Sequence, residues 1–564
     1  MFRKRTGVLL LVCIGLLLYI NSLSNGFLGD DHSQVLDNQQ VHSVSSLGNF
    51  FLGSTYYNGG LSRLTGLYYR PLMLTSYAVI YTLFGPNPFP FHMVQVAIHV
   101  INSTLLFSLF GVFFSLPAAF LLSLLFLIHP INNEAVVYIA NLQDVLFVLF
   151  GLIATLFLVS KTKQNVSWKT AGTVGFFTLL SLFTKETGIV FVGILVLYAF
   201  LYIKRYKQRI YFSLGASLLT YLFFRYFLAG IGITKTQAVA PIATAGIGIK
   251  FITLPAIIAT YLKTFFFPLS LSSSHYWVVT SITSPDFYLS VLIDGIFCLA
   301  VFLTAKWIIR KHKKYSMQFF FFLAWFVFGL IPHLQLIPLD TTIAERWFYF
   351  SAIGIIGIIG TVAQCISIKN ANIKKLMYGG IVVLFILLGI RTFVRNFDWV
   401  DGITLYSHDI KTTKASFLLD NALATELLMQ GYYKEAKPYV FSSIKSYPFY
   451  ANLNNAAIIS LSEKNIPQTK YYLQQALTHF GNYAVYENYA NFLLVYYSPK
   501  ETVTFAKEAL KKYPNDPKIL FDYGKASYLL GDTKTALEAV KKSYAILPGK
   551  KTEELIITIE AQMK

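Results

Sequence analysis

Long apolar runs separated by short polar stretches fill the chain up to about residue 391, and then they stop. Runs suited to crossing a bilayer cover about 7–23, 92–113, 114–129, 143–160, 169–184, 187–203, 210–228, 287–305, 317–337, 347–367 and 376–391. A crossing helix needs about 20 residues, so residues 71–84 (PLMLTSYAVIYTLF) are short for one. Residues 251–268 carry Lys263 and are broken by Pro255 and Pro268. Both stretches are read as lying flat at the interface, which leaves about eleven spans. With that count Arg3-Lys4-Arg5, Lys161/Lys163/Lys169, Lys204-Arg205/Lys207/Arg209, Lys306/Arg310-Lys311/Lys313-Lys314 and Lys369/Lys374-Lys375 share one side, as cytoplasmic basic clusters do. The segments 24–91, 130–142, 229–286 and 337–346, the Lys185-Glu186 break and everything after about 392 then face outward. Ser115-Leu116-Pro117 must turn a hairpin between two spans.

The tail from about Lys414 is more polar and carries no span, but it repeats. Ala424, Ala457, Ala490 and Gly524 recur at tetratricopeptide spacing. In the same frame Gly431, Lys464 and Gly531 take the helix-turn position. Ala436, Thr469, Thr502 and Ala536 open the second helix, and Ser443, Ala476, Ala509 and Ser543 lie further along it. Pro448, Pro514 and Pro548 close their units. Small residues at these places let two helices pack closely. The reading is an array of about four helix pairs, with a capping helix after Lys550.

Composition agrees with the pattern. Of 564 residues 55% are hydrophobic and only 13% are charged, which is a membrane composition. A formal charge of +20 invites a nucleic-acid reading. The basic residues, however, sit in short clusters between apolar runs, so no nucleic-acid partner is expected. Cys13, Cys298 and Cys365 all lie in apolar segments and form no disulfide framework or metal spacing. The N-terminal run has a poor cleavage site at Ser22-Leu23-Ser24 and reads as an uncleaved anchor, with the N-terminus cytoplasmic.

Against this apolar background, ionisable residues stand beside span ends on the outward side. They are Asp30-Asp31, Arg70, His129, Glu134, Asp144, Lys185-Glu186 and Glu345-Arg346. Singly, each has a structural explanation in snorkelling, capping or a satisfied histidine. Gathered at one membrane face, they suit a charged, lipid-borne substrate. A carboxylate can serve as general base towards a hydroxyl, and fixed cations can hold a departing phosphate. That is the chemistry of glycosyl transfer from a polyprenyl-phosphate sugar. No P-loop, GxGxxG, HExxH or GxSxG motif competes. No cofactor is required by this scheme, although an acid pair near a phosphate can hold a divalent ion.

Several stretches carry a resemblance: NGFLGDD (25–31), YRPLMLTSY (69–77), FHMVQVAIHV (91–100), HPINNEAV (129–136), LFTKETGI (182–189), FFFPLSL (265–271) and AERWFYFSAIG (344–354). In this order, and followed by repeats, they resemble the transmembrane and tetratricopeptide-repeat-containing O-mannosyltransferases. These are membrane glycosyltransferases of the GT-C fold. The resemblance implies that Asp30 and Asp31 form the acid motif activating the acceptor hydroxyl. It places Arg70, Lys185 and Arg346 around the donor phosphate or the loops near it. Glu134 and Asp144 belong to the second outer loop near the donor sugar, with His129, Glu186 and Glu345 also at the sugar or its loops. The family transfers mannose from dolichyl-phosphate mannose to Ser or Thr with inversion and without a required metal. Asn132 and Asn133 replace the family's His and Thr, and Asn141-Leu142-Gln143-Asp144 lacks its basic residue.

The expected protein is all-α: a GT-C transmembrane bundle over 1–395, a linker over 396–413 and a tetratricopeptide solenoid over 414–564. It moves a sugar, mannose by resemblance, from a polyprenyl phosphate to a protein hydroxyl on the extracytoplasmic face, the repeats binding the acceptor. The membrane is the plasma membrane in a prokaryote and the endoplasmic reticulum in a eukaryote. The rival expectations are a transferase acting on glycolipid or surface polysaccharide, and a non-catalytic membrane scaffold.

Overall fold

The structure, a computed structural model, describes residues 3–56, 68–160, 166–232, 240–337, 339–413, 416–479 and 481–563. Lys161 and Lys163, part of one basic cluster, lie outside the described residues. Among the described residues every regular element is helical, and the one extended pairing is an isolated antiparallel bridge between His275 and Ile343. Two compact units appear, divided in the chain between residues 413 and 416.

In the first unit nine helices among the described residues are long and apolar enough to cross a membrane. A tenth candidate is the pair Leu116–Ile128 and Pro130–Val137, bent by 51°. The expected spans near 169–184 and 187–203 are the shorter helices Trp168–Thr184 and Ile189–Tyr202. Ile247–Phe266, the stretch read as lying flat and broken by Pro255, is one helix of 20 residues that runs through Pro255 and by length and composition is long and apolar enough to cross. Its length offsets what the proline removes, because a single lost backbone bond in a long apolar helix is tolerable. Pro71–Phe84 is, as read, a helix of 14 residues. A turn at Phe114–Ser115 separates Pro88–Phe113 from Leu116–Ile128, where Pro117 sits in the first helical turn.

Two helices form the centre, Ile139–Ser160 and Glu345–Cys365, each 72% buried along its most apolar window. The second approaches its neighbours closely because it is built on glycine. A Cβ on Gly354 would lie 2.4 Å from the Phe326 nitrogen, and one on Gly357 would lie 2.1 Å from the Phe322 ring. Small residues at helical spacing allow this in a bilayer, where packing and not water drives association. Polar side chains of FHMVQVAIHV join the same helices. His99 Nε2 donates to Leu127 O at 3.1 Å and its Nδ1 accepts from Tyr349 Oη at 2.8 Å. Asn102 Nδ2 donates to Tyr349 Oη and to Val145 O.

The stretch read as a linker holds a helix, Gly402–Thr412, that belongs to the first unit. It is rooted by Asp409, which is fully buried, pairs with Arg395 Nη2 at 3.3 Å and accepts from Ser273 N and Oγ at 2.8 and 2.5 Å. Burial alone would raise the Asp409 pKa, but Arg395 and the hydrogen bonds from His408 and Ser273 hold it below the usual carboxylate range.

The second unit is the expected array. Helices 417–429, 433–446, 450–462, 466–478, 483–496, 499–512, 517–529 and 533–546 form four pairs, and Lys550–Gln562 follows as a ninth helix. Every small residue of the repeat frame is buried, from Ala424 to Gly524 and from Ala436 to Ser543. Gly431, Lys464 and Gly531 turn with φ of 80°, 59° and 86°. The third pair has no such residue because only Tyr497 and Ser498 separate its helices.

Candidate active site

The loop after the first span is pinned from several directions. Gly26 N donates to Val400 O at 3.1 Å, and Asn25 Nδ2 donates to Asn396 O at 3.2 Å. His92 Nε2 donates to Asn25 O at 3.2 Å. Gly29 adopts φ +52°, and a Cβ there would lie 2.8 Å from both Tyr138 Oη and Tyr406 Oη. Glycine is therefore required at this turn.

The two adjacent aspartates that follow this turn have different surroundings. Asp31 is 1% exposed; its Oδ2 accepts from Leu28 N at 3.0 Å and its Oδ1 accepts from Ala140 N at 2.7 Å. It staples two loops. Asp30 gives its backbone N–H to Tyr138 Oη at 2.7 Å, and its side chain is solvent-accessible. Protein nevertheless crowds around it. That crowding, and next the Asp340 carboxylate, raise its pKa, while Arg346 and Arg70 oppose the rise.

Three ion-paired sets are held nearby. Glu134 is fully buried and grips Arg346 through both oxygens, accepting from the backbone N at 2.9 Å and pairing with Nη1. Asn141 Nδ2 donates to Glu134 O at 3.3 Å, so this departure from the family pattern is hydrogen-bonded to the same acid. Lys185 Nζ meets Asp144 Oδ1 at 2.5 Å, with both side chains buried. Glu186 bridges two arginines, Arg70 Nε at 3.2 Å and Arg225 Nη1 at 3.1 Å, and accepts from Tyr69 N at 2.6 Å. Of these cations Arg346 has the most to offer a ligand. Its side chain is 18% exposed, and among the described residues its Nε and Nη2 make no hydrogen bond.

Two expected residues serve the frame. His129 Nε2 donates to Phe265 O at 2.9 Å, its Nδ1 accepts from Ile131 N, and its ring stacks on Phe265. Glu345 is buried, and its Oε1 accepts from Ser272 N at 2.7 Å. Four residues that sequence reasoning passed over join the site: Arg225, Tyr138, Tyr276 and Asp340. Arg225 and Asp340 obey the rule that singled out the others, a charge beside the end of an apolar run. Nothing in the local sequence marks the two tyrosines. Among the described residues no three His, Cys, Asp or Glu side chains gather as a metal-ligand set.

The bundle and its buried charge pairs define a multi-pass membrane protein. Residues 71–229 match the family model described as dolichyl-phosphate-mannose-protein mannosyltransferase. Human protein O-mannosyl-transferase TMTC3 is 25% identical over 528 residues, covering 84% of this chain and 57% of that protein. Mouse protein O-mannosyl-transferase TMTC1 is 34% identical over 194 residues, 32% of this chain and 21% of that protein. By sequence, then, the chain is similar to protein O-mannosyl-transferases over these stretches, and it spans little more than half the length of TMTC3. The structure of ArnT from Cupriavidus metallidurans bound to undecaprenyl phosphate overlays with a TM-score of 0.39 at 14% identity, covering 84% of this chain and 75% of that one. That likeness is too slight to argue from.

Proposed function

We propose that the chain transfers a hexose, mannose by its sequence relatives, from a polyprenyl phosphate to a Ser or Thr hydroxyl of a protein on the extracytoplasmic face. The observation that carries this reading is Asp30, an accessible carboxylate within electrostatic reach of Arg346 and Arg70, beside the loop that its neighbour Asp31 pins to Ala140. The acceptor oxygen attacks the anomeric carbon while Asp30 takes its proton. The bond from that carbon to the phosphate oxygen breaks, and the phosphate leaves with the electron pair. Arg346, through its spare N–H groups, meets the charge that develops there. Attack opposite the leaving group inverts the anomeric centre. The lipid tail of the donor stays in the bilayer. The repeats bind the acceptor, since such arrays present extended concave surfaces.

The test is transfer of radiolabel from polyprenyl-phosphate mannose, and then glucose, by the purified chain in nanodiscs, with membrane or secreted proteins as acceptors. Label in protein, lost in Asp30→Asn, supports the reading. Label in lipid favours a glycolipid transferase, and no transfer from any donor favours a scaffold. An EDTA arm reports whether a divalent ion takes part.

A further inference from the structure

Six successive residues, Thr341 to Arg346, are each tied by a hydrogen bond to another part of the first unit. Thr341 Oγ1 donates to His275 O at 2.7 Å, and Thr342 N donates to the same carbonyl at 2.8 Å. Ile343 O accepts from His275 N at 3.2 Å, and Ala344 O accepts from Tyr261 Oη at 3.2 Å. Glu345 Oε1 accepts from Ser272 N at 2.7 Å, and Arg346 N donates to Glu134 Oε2 at 2.9 Å. The Arg346 guanidinium is thus presented from a backbone held at every step leading to it.

Four of these six ties come from one short strap, residues 272–275, and the strap has its own anchor. Ser273, next to the Ser272 that holds Glu345, donates its N–H and O–H to Asp409 Oδ2 at 2.8 and 2.5 Å. Asp409 Oδ1 meets Arg395 Nη2 at 3.3 Å, and both side chains are fully buried. Asp409 cannot leave Arg395 without burying an uncompensated charge, so the anchor does not drift. At the other end the link is single. Glu345 Oε2 is buried and without a hydrogen-bond partner among the described residues, so the Ser272 N–H alone fixes this carboxylate. A strap that shifts therefore carries Glu345 with it, and with Glu345 the backbone of Arg346.

We infer that Asp409 is a positioning residue: acting through Ser273, Ser272 and Glu345, it sets where the Arg346 guanidinium stands. The inference rests on the transferase reading, in which Arg346 meets the charge on the departing phosphate. A misplacement of about 1 Å in such a group costs about a hundredfold in rate. Precision at Arg346 is then supplied from a helix 63 positions further along the chain.

The experiment is a double-mutant cycle on kcat/KM, with the purified full chain in nanodiscs and polyprenyl-phosphate mannose, or glucose where only that donor is used. Asp409→Ala, Asp409→Asn, Ser273→Ala and Glu345→Ala are each made alone and together with Arg346→Lys, which keeps a cation but loses the fork. Alone, Asp409→Ala and Glu345→Ala should lower kcat/KM by about tenfold or more. Ser273→Ala should lower it less, and so should Asp409→Asn, which keeps an acceptor for Ser273. With Arg346→Lys already present, the Asp409→Ala and Glu345→Ala losses should shrink by about fivefold or more. A merely structural residue lowers both backgrounds by the same factor. Losses that multiply in full therefore overturn the inference and leave the transferase reading standing, as does full activity in both Ser273→Ala and Glu345→Ala. Where Asp409→Ala or Glu345→Ala fails to fold, by Tm and elution profile, Ser273→Ala carries the cycle with the same criterion. Wild type that transfers from neither donor overturns both the inference and the reading beneath it.

Discussion

Asp31 accepts a hydrogen bond from the backbone N–H of Ala140 at 2.7 Å, tying the loop after the first span to the start of the central helix Ile139–Ser160. Its neighbour Asp30 makes no such bond, and its carboxylate is left accessible. Two identical side chains, one position apart, thus have opposite tasks, and the difference can be measured. Asp31→Asn turns an N–H towards one of two backbone donors and removes a charge that both bonds use. It should cost about 2–3 kcal/mol, read as a lower Tm in detergent. Asp30→Asn should lower kcat/KM by about 10²- to 10⁴-fold with the fold intact.

The pH dependence follows from the same carboxylate. The Asp30 pKa is raised by its crowded setting and by Asp340. The base works only when deprotonated, so the acidic limb of kcat/KM should lie above the ordinary aspartate range. Asp340→Asn removes the like charge and should move that limb to lower pH. For stability the sign reverses. The folded state holds this proton more tightly than the unfolded chain, so the group opposes folding increasingly as pH rises from its unfolded to its folded pKa. Asp30→Asn should therefore be no less stable than wild type at pH 7, and its Tm measured at pH 4 and pH 7 checks this.

The Lys185–Asp144 pair is buried on both sides. Lys185→Met strands a carboxylate and should cost about 3–5 kcal/mol. Lys185→Met with Asp144→Leu should recover most of the loss in stability. Recovery of stability without recovery of transfer would show that the pair also shapes the site.

Gly29→Ala meets both a left-handed φ and two tyrosine oxygens at 2.8 Å. The backbone term alone is about 1–2 kcal/mol, and the turn that aims Asp30 must shift. Transfer should fall further than stability. Tyr406→Phe in the same chain should restore part of the activity, because it removes one of the two obstructing oxygens.

Much of this was legible in the sequence, for reasons that differ between the two units. In the array each buried small residue is set by its distance to its own repeat partner, so Ala424, Ala457, Ala490 and Gly524 disclose their role by period alone. The membrane unit shows where charge lies but not what it meets. Glu134 and Arg346 both stand beside span ends, yet nothing local reveals that they pair, because they are 212 positions apart along the chain. Asp30 and Asp31 could not be told apart for the same reason: the donor that buries one of them is Ala140. His129 looked functional because a histidine near a span end has polar atoms to satisfy, and here backbone groups satisfy them. The break read at Pro255 is absent, because a single proline inside Ile247–Phe266 leaves the helix continuous, and Pro268 lies beyond its end.

The grip of Arg346 on Glu134 also has a temporal side. A ribosome delivers Asp30 first, Glu134 after four helical segments, and Asp340 and Arg346 only when most of the bundle already exists. Until then Glu134 has no counter-charge, so burying it early favours a protonated, neutral carboxyl. The nascent bundle thus stays provisional until its last central helix arrives. A chain halted before residue 346 should remain a substrate for membrane chaperones and proteases, however many of its spans have already inserted.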